Sequence, residues 1–218
     1  MSSSCRHHSE DTKTRLLQAA GDAFARLGFK NATIREICKD AGAHVGAVNY
    51  HFKDKEGLYE AIFAYSFESA VKKYPPDLDL QPCATPEERL RAYVRSLLLR
   101  MMGEGFPAWH GKLMAQEIAN PTVFTGKVIQ TSILPLMEYL YGIIEDLMKE
   151  RCDASSVDAH DIFHCAICIV GQCMHYFKGK HVIEAIRPAG YDPDDIEKIT
   201  DHVTRFSLGG IDAMIKRR

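Results

Sequence analysis

The chain has 218 residues, 46% of them hydrophobic and 26% charged, which is long enough to bury a substantial core and excludes a disordered or fibrous protein. Its formal charge of −2 lacks the overall basic character common in autonomous nucleic-acid binders, so any nucleic-acid binding must rest on a local surface. The seven cysteines are odd in number and irregularly spaced, which indicates reduced thiols and not a disulfide framework.

No targeting or membrane segment is expected. The first ten residues lack the apolar region of a secretory signal. The most apolar run, 162–174, is interrupted by histidine and glutamine and falls short of the roughly 18 residues that indicate a membrane span. We therefore expect a cytoplasmic protein without membrane contact.

The N-terminal elements are helices. Apolar residues recur at helical spacing from Leu16 to Leu27, and this first helix should end at Gly28. Thr33 and Glu36 have the spacing of a capping box, which predicts the start of a second helix.

That second helix should stop at Gly42. A very short third helix is predicted over about 45–50 and a fourth over about 55–72. Four helices would then occupy little more than seventy residues.

A proline-rich segment, 72–88, separates these helices from the rest of the chain. Pro135 should kink or divide one of the later helices. No stretch shows sustained period-two alternation, so we predict an all-α fold. The later helices are expected at about 86–102, 107–119, 122–150, 156–178 and 193–216.

The domain organisation follows from these breaks. A flexible N-terminal segment is expected over 1–10 and a three-helix domain over 11–56. A connecting helix and proline-rich linker would cover 57–85. A larger helical domain would cover 86–218.

The second and third helices have the layout of a helix-turn-helix, in which the second helix of the motif enters the DNA major groove. Gly42 permits a tight turn, and Gly46 removes a side chain where the protein would lie nearest to DNA. Tyr50 and His51 carry donors for phosphate oxygens, and Lys55 adds positive charge at the start of the fourth helix. The composition thus meets a geometric need and not a catalytic one.

Residues 33–58, TIREICKDAGAHVGAVNYHFKDKEGL, resemble the DNA-binding signature of the TetR family of transcriptional regulators. The resemblance implies an α-helical homodimer with an N-terminal helix-turn-helix domain and a C-terminal dimerisation and ligand-binding domain. It also implies operator DNA and a small-molecule effector as partners. In most members the small molecule alters the separation of the two DNA-reading heads and releases the operator.

The resemblance assigns DNA contacts residue by residue. Base-edge contacts fall to Val45, Gly46, Ala47 and Asn49. Phosphate contacts fall to Thr33, His44, Tyr50, His51 and Lys55. Three positions depart from the family pattern: His44 replaces a usual serine or threonine, Asn49 a common tyrosine and Cys38 a common alanine. Asn49 could read adenine through N6 and N7, a contact that contributes roughly 1–3 kcal/mol of discrimination.

Short motifs in the second half are similar to the C-terminal domain of the CecR-type branch of this family. They are QEIANP, ILPLM, IVGQ and the ending ITDHVTRFSLGGIDAMI. The branch leaves the effector open.

Several polar and apolar side chains are candidates for the effector site, because such pockets are mostly apolar with a few orienting polar groups. For Glu117 the competing interpretation is a structural hydrogen bond, and for the others a place in the core. The candidates are Met114, Glu117, Gln172, His175 and Tyr176.

A Cys/His-rich segment, 160–175, supports an alternative function as a metal- or redox-sensing protein, because thiolates and imidazoles are ligands for zinc or copper. One helix rarely surrounds a metal with four ligands, and cysteine is commonly buried, so we favour packing and expect no metal or other cofactor. The residues concerned are His160, His164, Cys165, Cys168, Cys173 and His175.

Two further expectations complete the interpretation. Small residues on the last two long helices permit close helix approach, either within the chain or across a homodimer interface. We favour the homodimer, because a helix-turn-helix this short needs two half-sites to gain affinity and specificity. No nucleophile elbow, phosphate-binding loop, dinucleotide fingerprint or zinc-protease motif is present, so no enzyme activity is expected. The sequence therefore predicts a ligand-responsive repressor that binds a palindromic operator as a dimer.

Overall fold

A computed structural model of the protein describes residues 3–103, 109–151 and 157–215, with side chains described from Asp11 onward. All regular elements in these ranges are helical, which confirms the all-α fold. The elements are α1 (Ser3–Asn31), α2 (Ile34–Asp40), α3 (Val45–Phe52), α4 (Lys55–Lys73), α5 (Pro86–Met102), α6 (Trp109–Ala119), α7 (Thr125–Val128), a π-helical turn (Ile129–Ile133), α8 (Leu134–Lys149), α9 (Ala159–Lys178), α10 (Lys180–Ile186) and α11 (Ile196–Ile215).

Helix α1 starts at Ser3 and so includes most of the segment 1–10, to which the sequence analysis assigned a flexible tail. Its predicted end at Gly28 corresponds to a kink. Gly28 has φ 75° and ψ 167°, and one further turn reaches Asn31. A side chain would be strained at this φ, which explains the glycine.

The predicted helix 122–150 is divided where Pro135 disturbs it. Helix α7 passes into the π-helical turn Ile129–Ile133, and α8 starts at Leu134 with Pro135 in its first turn. Proline has no N–H to donate and its ring collides with the carbonyl four residues earlier, so the regular hydrogen-bond ladder stops there.

Helix α10 was not predicted. The sequence analysis placed a break between Gly179 and residue 193, but Lys180–Ile186 is helical. None of its residues is buried, and its seven residues are too few for helical periodicity to be recognised in the sequence.

The chain forms two compact units. The first comprises Met1–Ala70 and Gly105–Ser132, and the second comprises Val71–Glu104 and Ile133–Arg218. Helix α6 thus belongs to the same unit as the helix-turn-helix, although the predicted domain boundaries grouped it with the later helices.

The core of the first unit is centred on buried side chains of α1 to α4, among them Leu16, Phe24, Ile37, Val48, Phe52, Leu58 and Ile62. Trp109 of α6 lies on the bare backbone of Gly21 in α1, where an added Cβ atom would come within 2.3 Å of the indole. In the second unit, α5 packs against α8, α9 and α11 around a continuous apolar core. No helix in the described ranges is long and apolar enough to cross a membrane.

We predict that Gly42→Ala lowers the free energy of unfolding by about 1–2 kcal/mol, because Gly42 has φ 60° and an alanine resists this left-handed conformation. Gly46→Ala is the matched control. Gly46 lies in α3 with nothing within 4 Å of an added Cβ, so stability should stay unchanged or rise by up to about 1 kcal/mol. Urea unfolding measures both free energies of unfolding. Equal losses of stability in the two variants would contradict the left-handed role of Gly42.

Candidate nucleic-acid interface

The turn between α2 and α3 is closed by backbone hydrogen bonds. The Ala43 N–H donates to the Cys38 carbonyl at 2.8 Å, and the Gly42 N–H donates to the Lys39 carbonyl at 3.2 Å. This pair of bonds is the Schellman motif, with Gly42 at its left-handed position. The predicted stop at Gly42 is therefore confirmed, and the chain turns tightly enough to place α3 directly after α2.

A side chain from α1 supports the same turn. The Arg15 guanidinium donates from Nη1 to the Ala41 carbonyl at 3.1 Å and from Nη2 to the Thr12 hydroxyl at 3.2 Å. The Cys38 thiol lies 3.7 Å from the His44 carbonyl and acts as a weak donor. Because these bonds satisfy carbonyls that the turn exposes, the position of α3 is defined from both sides.

Helix α3 has one buried and one exposed face. Val48 and Phe52 are buried against α1 and α2. Val45 is 49% exposed and Tyr50 is 79% exposed. Gly46 and Asn49 are also exposed and lie on the same side of the helix as these two. The predicted base-contacting residues are therefore brought together on the solvent face, with Ala47 half-buried at its edge.

The start of α3 is open. His44 occupies the N-cap position with extended backbone, and its side chain makes no capping hydrogen bond. The first-turn N–H groups of a helix lack partners within the helix and attract anions. The Ala47 N–H already donates to the His44 carbonyl at 2.9 Å, so the His44 side chain and the N–H groups of Val45 and Gly46 are the donors for a phosphate here.

Thr33 is already engaged. Its hydroxyl donates to the Glu36 carboxylate at 2.8 Å and accepts from the Glu36 N–H at 3.2 Å, which confirms the predicted capping box at the start of α2. A phosphate contact through the Thr33 hydroxyl hydrogen would have to replace the bond to Glu36.

Lys55 is also held within the first unit. Its ammonium lies 4.7 Å from the centre of the Phe29 ring and 3.4 Å from the Lys30 carbonyl, to which it donates. An ammonium has three N–H donors, so it retains capacity for a phosphate oxygen. Part of its role is nevertheless to attach the start of α4 to the end of α1.

The charge of the motif is balanced, with four basic and four acidic residues in 33–58. The basic residues are Arg35, Lys39, Lys53 and Lys55, and the acidic ones are Glu36, Asp40, Asp54 and Glu56. Two of the acids are used in helix starts: Glu36 in the capping box of α2, and Asp54 through a 2.7 Å bond from the Gly57 N–H of α4. The motif as a whole is therefore close to neutral, and phosphate binding must rest on where its basic side chains lie.

Three basic residues outside the predicted contact set join this surface. Arg35 and Lys39 are exposed one turn apart on α2, and exposed Lys53 ends α3 with φ 76°. A positive φ is uncommon for lysine and marks a strained position. The one sequence signal for Arg35 and Lys39 is their spacing of four, which puts both on one helix face.

Beneath this surface, a buried carboxylate ties the helices of the first unit together. Glu117 of α6 is 2% exposed and accepts from the Tyr59 hydroxyl of α4 at 2.7 Å. It also accepts from the Thr122 N–H at 3.1 Å, from the Thr122 hydroxyl at 2.7 Å and from the Thr125 hydroxyl. Burial opposes its ionisation, but the bonds from Thr125, Tyr59 and Thr122 outweigh burial and hold the Glu117 pKa below its ordinary value.

Tyr59 responds in the opposite direction. Burial first, and then the Glu117 carboxylate, raise the pKa of its hydroxyl, so that it remains a donor throughout the physiological range. Its ring packs edge-on against Phe24 and Phe63, with centroid distances of 4.8 and 5.0 Å. The Tyr59–Glu117 pair therefore joins a hydrogen-bond network to an aromatic cluster.

The candidate effector residues separate into two groups. Met114, which is half-buried, and Glu117, whose carboxylate is fully hydrogen-bonded, belong to the first unit. Gln172, His175 and Tyr176 of α9 line one cavity of about 630 Å³ in the second unit. Its other walls come from α10, the following segment and α11, including Ile183, Arg187, Tyr191 and His202.

The Cys/His-rich segment is spread around α9. Cys165 and Cys173 are buried, while His160, His164, Cys168 and His175 are exposed. Among the residues that the structure describes, no three His, Cys, Asp or Glu side chains are placed to share a metal ion. Burial raises the pKa of Cys165 to about 11 and that of Cys173 to about 12, so both thiols are protonated at neutral pH.

A tight turn followed by a short helix with an exposed small-and-polar face defines a helix-turn-helix DNA-binding regulator. Comparison with known proteins supports this class and refines it. Residues 16–62 match the family of bacterial regulatory proteins of the tetR type, and residues 86–211 match the C-terminal domain of the HTH-type transcriptional dual regulator CecR. The chain belongs to the TetR family of transcriptional regulators, in its CecR-type branch.

One relative matches this protein over most of both chains. The HTH-type transcriptional dual regulator CecR of Shigella flexneri is 28% identical over 211 residues, which cover 89% of each chain. Among solved structures, the regulator FadR of Bacillus subtilis in complex with stearoyl-CoA has a TM-score of 0.69 at 16% identity, over 90% of this chain and 98% of that one. AibR, in complex with isovaleryl coenzyme A and operator DNA, has a TM-score of 0.66 at 19% identity, over 89% and 97%.

We predict that Glu117→Gln lowers the free energy of unfolding by about 1–3 kcal/mol at pH 7, because it leaves buried donors without their charged acceptor. The lowered pKa means that the carboxylate contributes stability above its unfolded pKa of about 4.3, and that this contribution is lost as pH falls through the folded value. The gap between wild type and variant should therefore narrow below about pH 4.

Urea unfolding at pH 7 and at pH 3.5 measures this gap. Glu138→Gln is the matched control, because Glu138 is exposed on α8 and should change stability by no more than about 0.5 kcal/mol. A Glu117→Gln effect that is the same at both pH values would show that the ionised carboxylate is not the stabilising species.

Proposed function

We propose that this protein is a ligand-responsive transcriptional repressor that binds a palindromic operator as a homodimer. The observation that carries the proposal is the exposed face of α3, where Val45, Gly46, Asn49 and Tyr50 lie together on a helix fixed by its buried face. A recognition helix needs this combination, because base edges are read only by side chains held in a defined register.

The DNA contacts divide by chemistry. Val45, Gly46, Ala47 and Asn49 would face base edges. Asn49 supplies an amide that can bind adenine in two places, and Gly46 allows the helix to approach closely. Phosphates would be contacted by Thr33, His44, Tyr50, His51 and Lys55. Arg35, Lys39 and Lys53 extend this phosphate-binding surface, because they are exposed and positively charged.

The homodimer would form through α9 and α11. Phe163 and Ile167 of α9 are 48% and 47% exposed, one turn apart. On α11, Phe206 is 66% exposed and stacks on His202 at 6.2 Å, and exposed Gly209 and Gly210 follow it. Large apolar side chains beside bare backbone suit close helix packing against a second copy. Two copies would place two α3 helices on two half-sites.

The effector is proposed to bind the second unit. Its cavity of about 630 Å³, lined by Gln172, His175 and Tyr176, has the size of ordinary ligand pockets. The coenzyme A thioesters in the AibR and FadR complexes belong to those proteins. For this chain they support only the proposal that some small molecule is the effector. Its binding would change the affinity for the operator.

We predict that Gly46→Ala weakens DNA binding without loss of protein stability. The added methyl group meets no protein atom but would stand between α3 and the groove floor. The test is selection of bound duplexes from a random pool at physiological salt, followed by titration of the selected duplex with each variant. Unchanged affinity in a folded Gly46→Ala protein would contradict the placement of α3 against DNA.

A second pair of variants separates reading from anchoring. Asn49→Ala should relax one base position, with a loss of about 1–3 kcal/mol of discrimination there. Tyr50→Phe should weaken all duplexes alike by about 1 kcal/mol, because it removes one hydrogen bond to phosphate. Repeated selection with each variant checks the pattern. A uniform loss in Asn49→Ala would contradict its role as a reader, and the lack of any enriched inverted repeat in wild type would contradict the palindromic operator.

A further inference from the structure

Arg100 of α5 is a buried arginine in the second unit. It is 5% exposed, and its Nε donates to the Ser96 carbonyl at 3.3 Å. Its Nη2 atom is fully buried and has no hydrogen-bond acceptor among the described residues. Native proteins rarely leave a buried donor unpaired, so such a group requires a specific explanation.

Other arginines of the same helix show what a paired arginine looks like here. Arg89 contacts Asp146 at 2.6 Å, and Arg91 contacts both Glu197 at 3.0 Å and Asp201 at 2.8 Å. Arg95 pairs with Asp79 at 3.1 Å and with Glu197. These three lie at the surface or half-buried, where pairing matters least. The arginine that is most buried is the one without a carboxylate partner in the described structure.

The neighbours of Arg100 do not neutralise it. Tyr93 and Cys173 interact electrostatically with the guanidinium and are buried in the apolar core. Burial raises the pKa of each to about 12, so both are protonated and uncharged at neutral pH. Burial also lowers the pKa of Arg100, but an arginine keeps its proton in proteins. Within residues 11–103, 109–151 and 157–215, a positive charge therefore lies in the core without a counter-ion.

The residues around Arg100 also indicate the chemistry of an anion that could bind there. Tyr93 and Cys173 belong to the apolar core formed by α5, α8, α9 and α11. Cys173 lies one helical turn before Tyr176, which lines the cavity of about 630 Å³. A ligand that reaches the guanidinium would thus place its remaining atoms among apolar side chains.

We propose that Arg100 binds the oxyanion of a small amphipathic effector, a carboxylate or a phosphate monoester, whose apolar part packs beside α9. This inference rests on the proposed ligand response and deepens it by naming the chemical class of the effector. A planar guanidinium whose Nη2 group has no acceptor in the described structure suits both oxyanions, and a low-dielectric site strengthens the attraction. The unpaired buried charge then destabilises the ligand-free protein, and a bound oxyanion removes this destabilisation.

The register of α5 accounts for the burial of Arg100. Arg100 lies seven residues after Tyr93 and four after Ser96, which puts it on the buried side of α5. A charged residue at a core position of an amphipathic helix is unusual enough to indicate a binding role.

The test compares Arg100→Met, Arg100→Lys and the matched control Arg95→Met in the full chain. The probes are octanoate, octyl phosphate and the uncharged octanol, and thermal unfolding and calorimetric titration are the measurements. In wild type, at least one oxyanion should raise Tm in proportion to the logarithm of its concentration, and octanol should raise it much less. The two oxyanion probes distinguish a carboxylate effector from a phosphate effector.

Arg100→Met should unfold at or above the wild-type Tm without probe, because it replaces an unpaired buried charge by an apolar chain. It should bind the oxyanion at least tenfold more weakly, Arg100→Lys should bind with intermediate affinity, and Arg95→Met should bind like wild type. The proposal is overturned if neither oxyanion stabilises wild type, if Arg100→Met binds as well as wild type, or if Arg100→Met lowers Tm as loss of a structural contact would.

Titration of the selected duplex without probe separates this inference from the proposed function. Wild type and Arg100→Met should bind DNA equally in the absence of probe. DNA binding by both proteins without any oxyanion effect would overturn the inference alone. Oxyanion binding without DNA binding would overturn the proposed function and leave the Arg100 site standing.

Discussion

The buried Glu117 carboxylate is the interaction on which the arrangement of the first unit depends. Removal of a carboxylate from water is costly, and here the cost is offset by donors from Tyr59, Thr122 and Thr125. Tyr59 lies on α4, which follows α3 after two residues. Thr122 lies in the turn before α7, and Thr125 is the first residue of α7. One side chain therefore connects the start of α4, helix α6 and the turn after it. Any displacement of one of these elements would break bonds that the interior cannot replace.

The recognition surface depends on contacts from other helices, because α3 is short. Eight residues do not form a stable helix alone, so α3 persists through tertiary packing. Val48 and Phe52 supply that packing, Arg15 and Gly42 determine the turn, and Lys55 attaches the next helix to Phe29. The exposed face is then free to carry residues chosen for contact with DNA. This division explains how a chain of formal charge −2 can present a local DNA-binding surface.

The two buried charges illustrate different uses of the same physics. Glu117 has its hydrogen bonds within the protein, and its ionised form stabilises the fold. Arg100 keeps a buried N–H group without an acceptor in the described structure. A satisfied buried ion rigidifies its surroundings, whereas an unsatisfied one favours the arrival of a complementary ligand. The sequence suggested Glu117 as a ligand-binding residue and did not single out Arg100. Burial and hydrogen-bond pairing of these side chains depend on tertiary contacts.

Local features of the sequence determined the helices and the family. The capping box at Thr33, the turn at Gly42 and the interruption at Pro135 each depend on residues within one or two turns, so their spacing alone predicted them. The segment 33–58 likewise indicated the TetR family. Tertiary structure alone decided the pairing of Glu117 with Tyr59, which lies 58 positions earlier in the chain. It also placed Glu117 in a different unit from Gln172 and His175. The burial of Arg100 likewise depends on tertiary packing. Helix α10 was also missed, because its seven residues are too few to show helical periodicity. The physical reason is range: caps and periodicity act over a few residues, whereas hydrogen-bond partners and burial depend on which distant segments pack together.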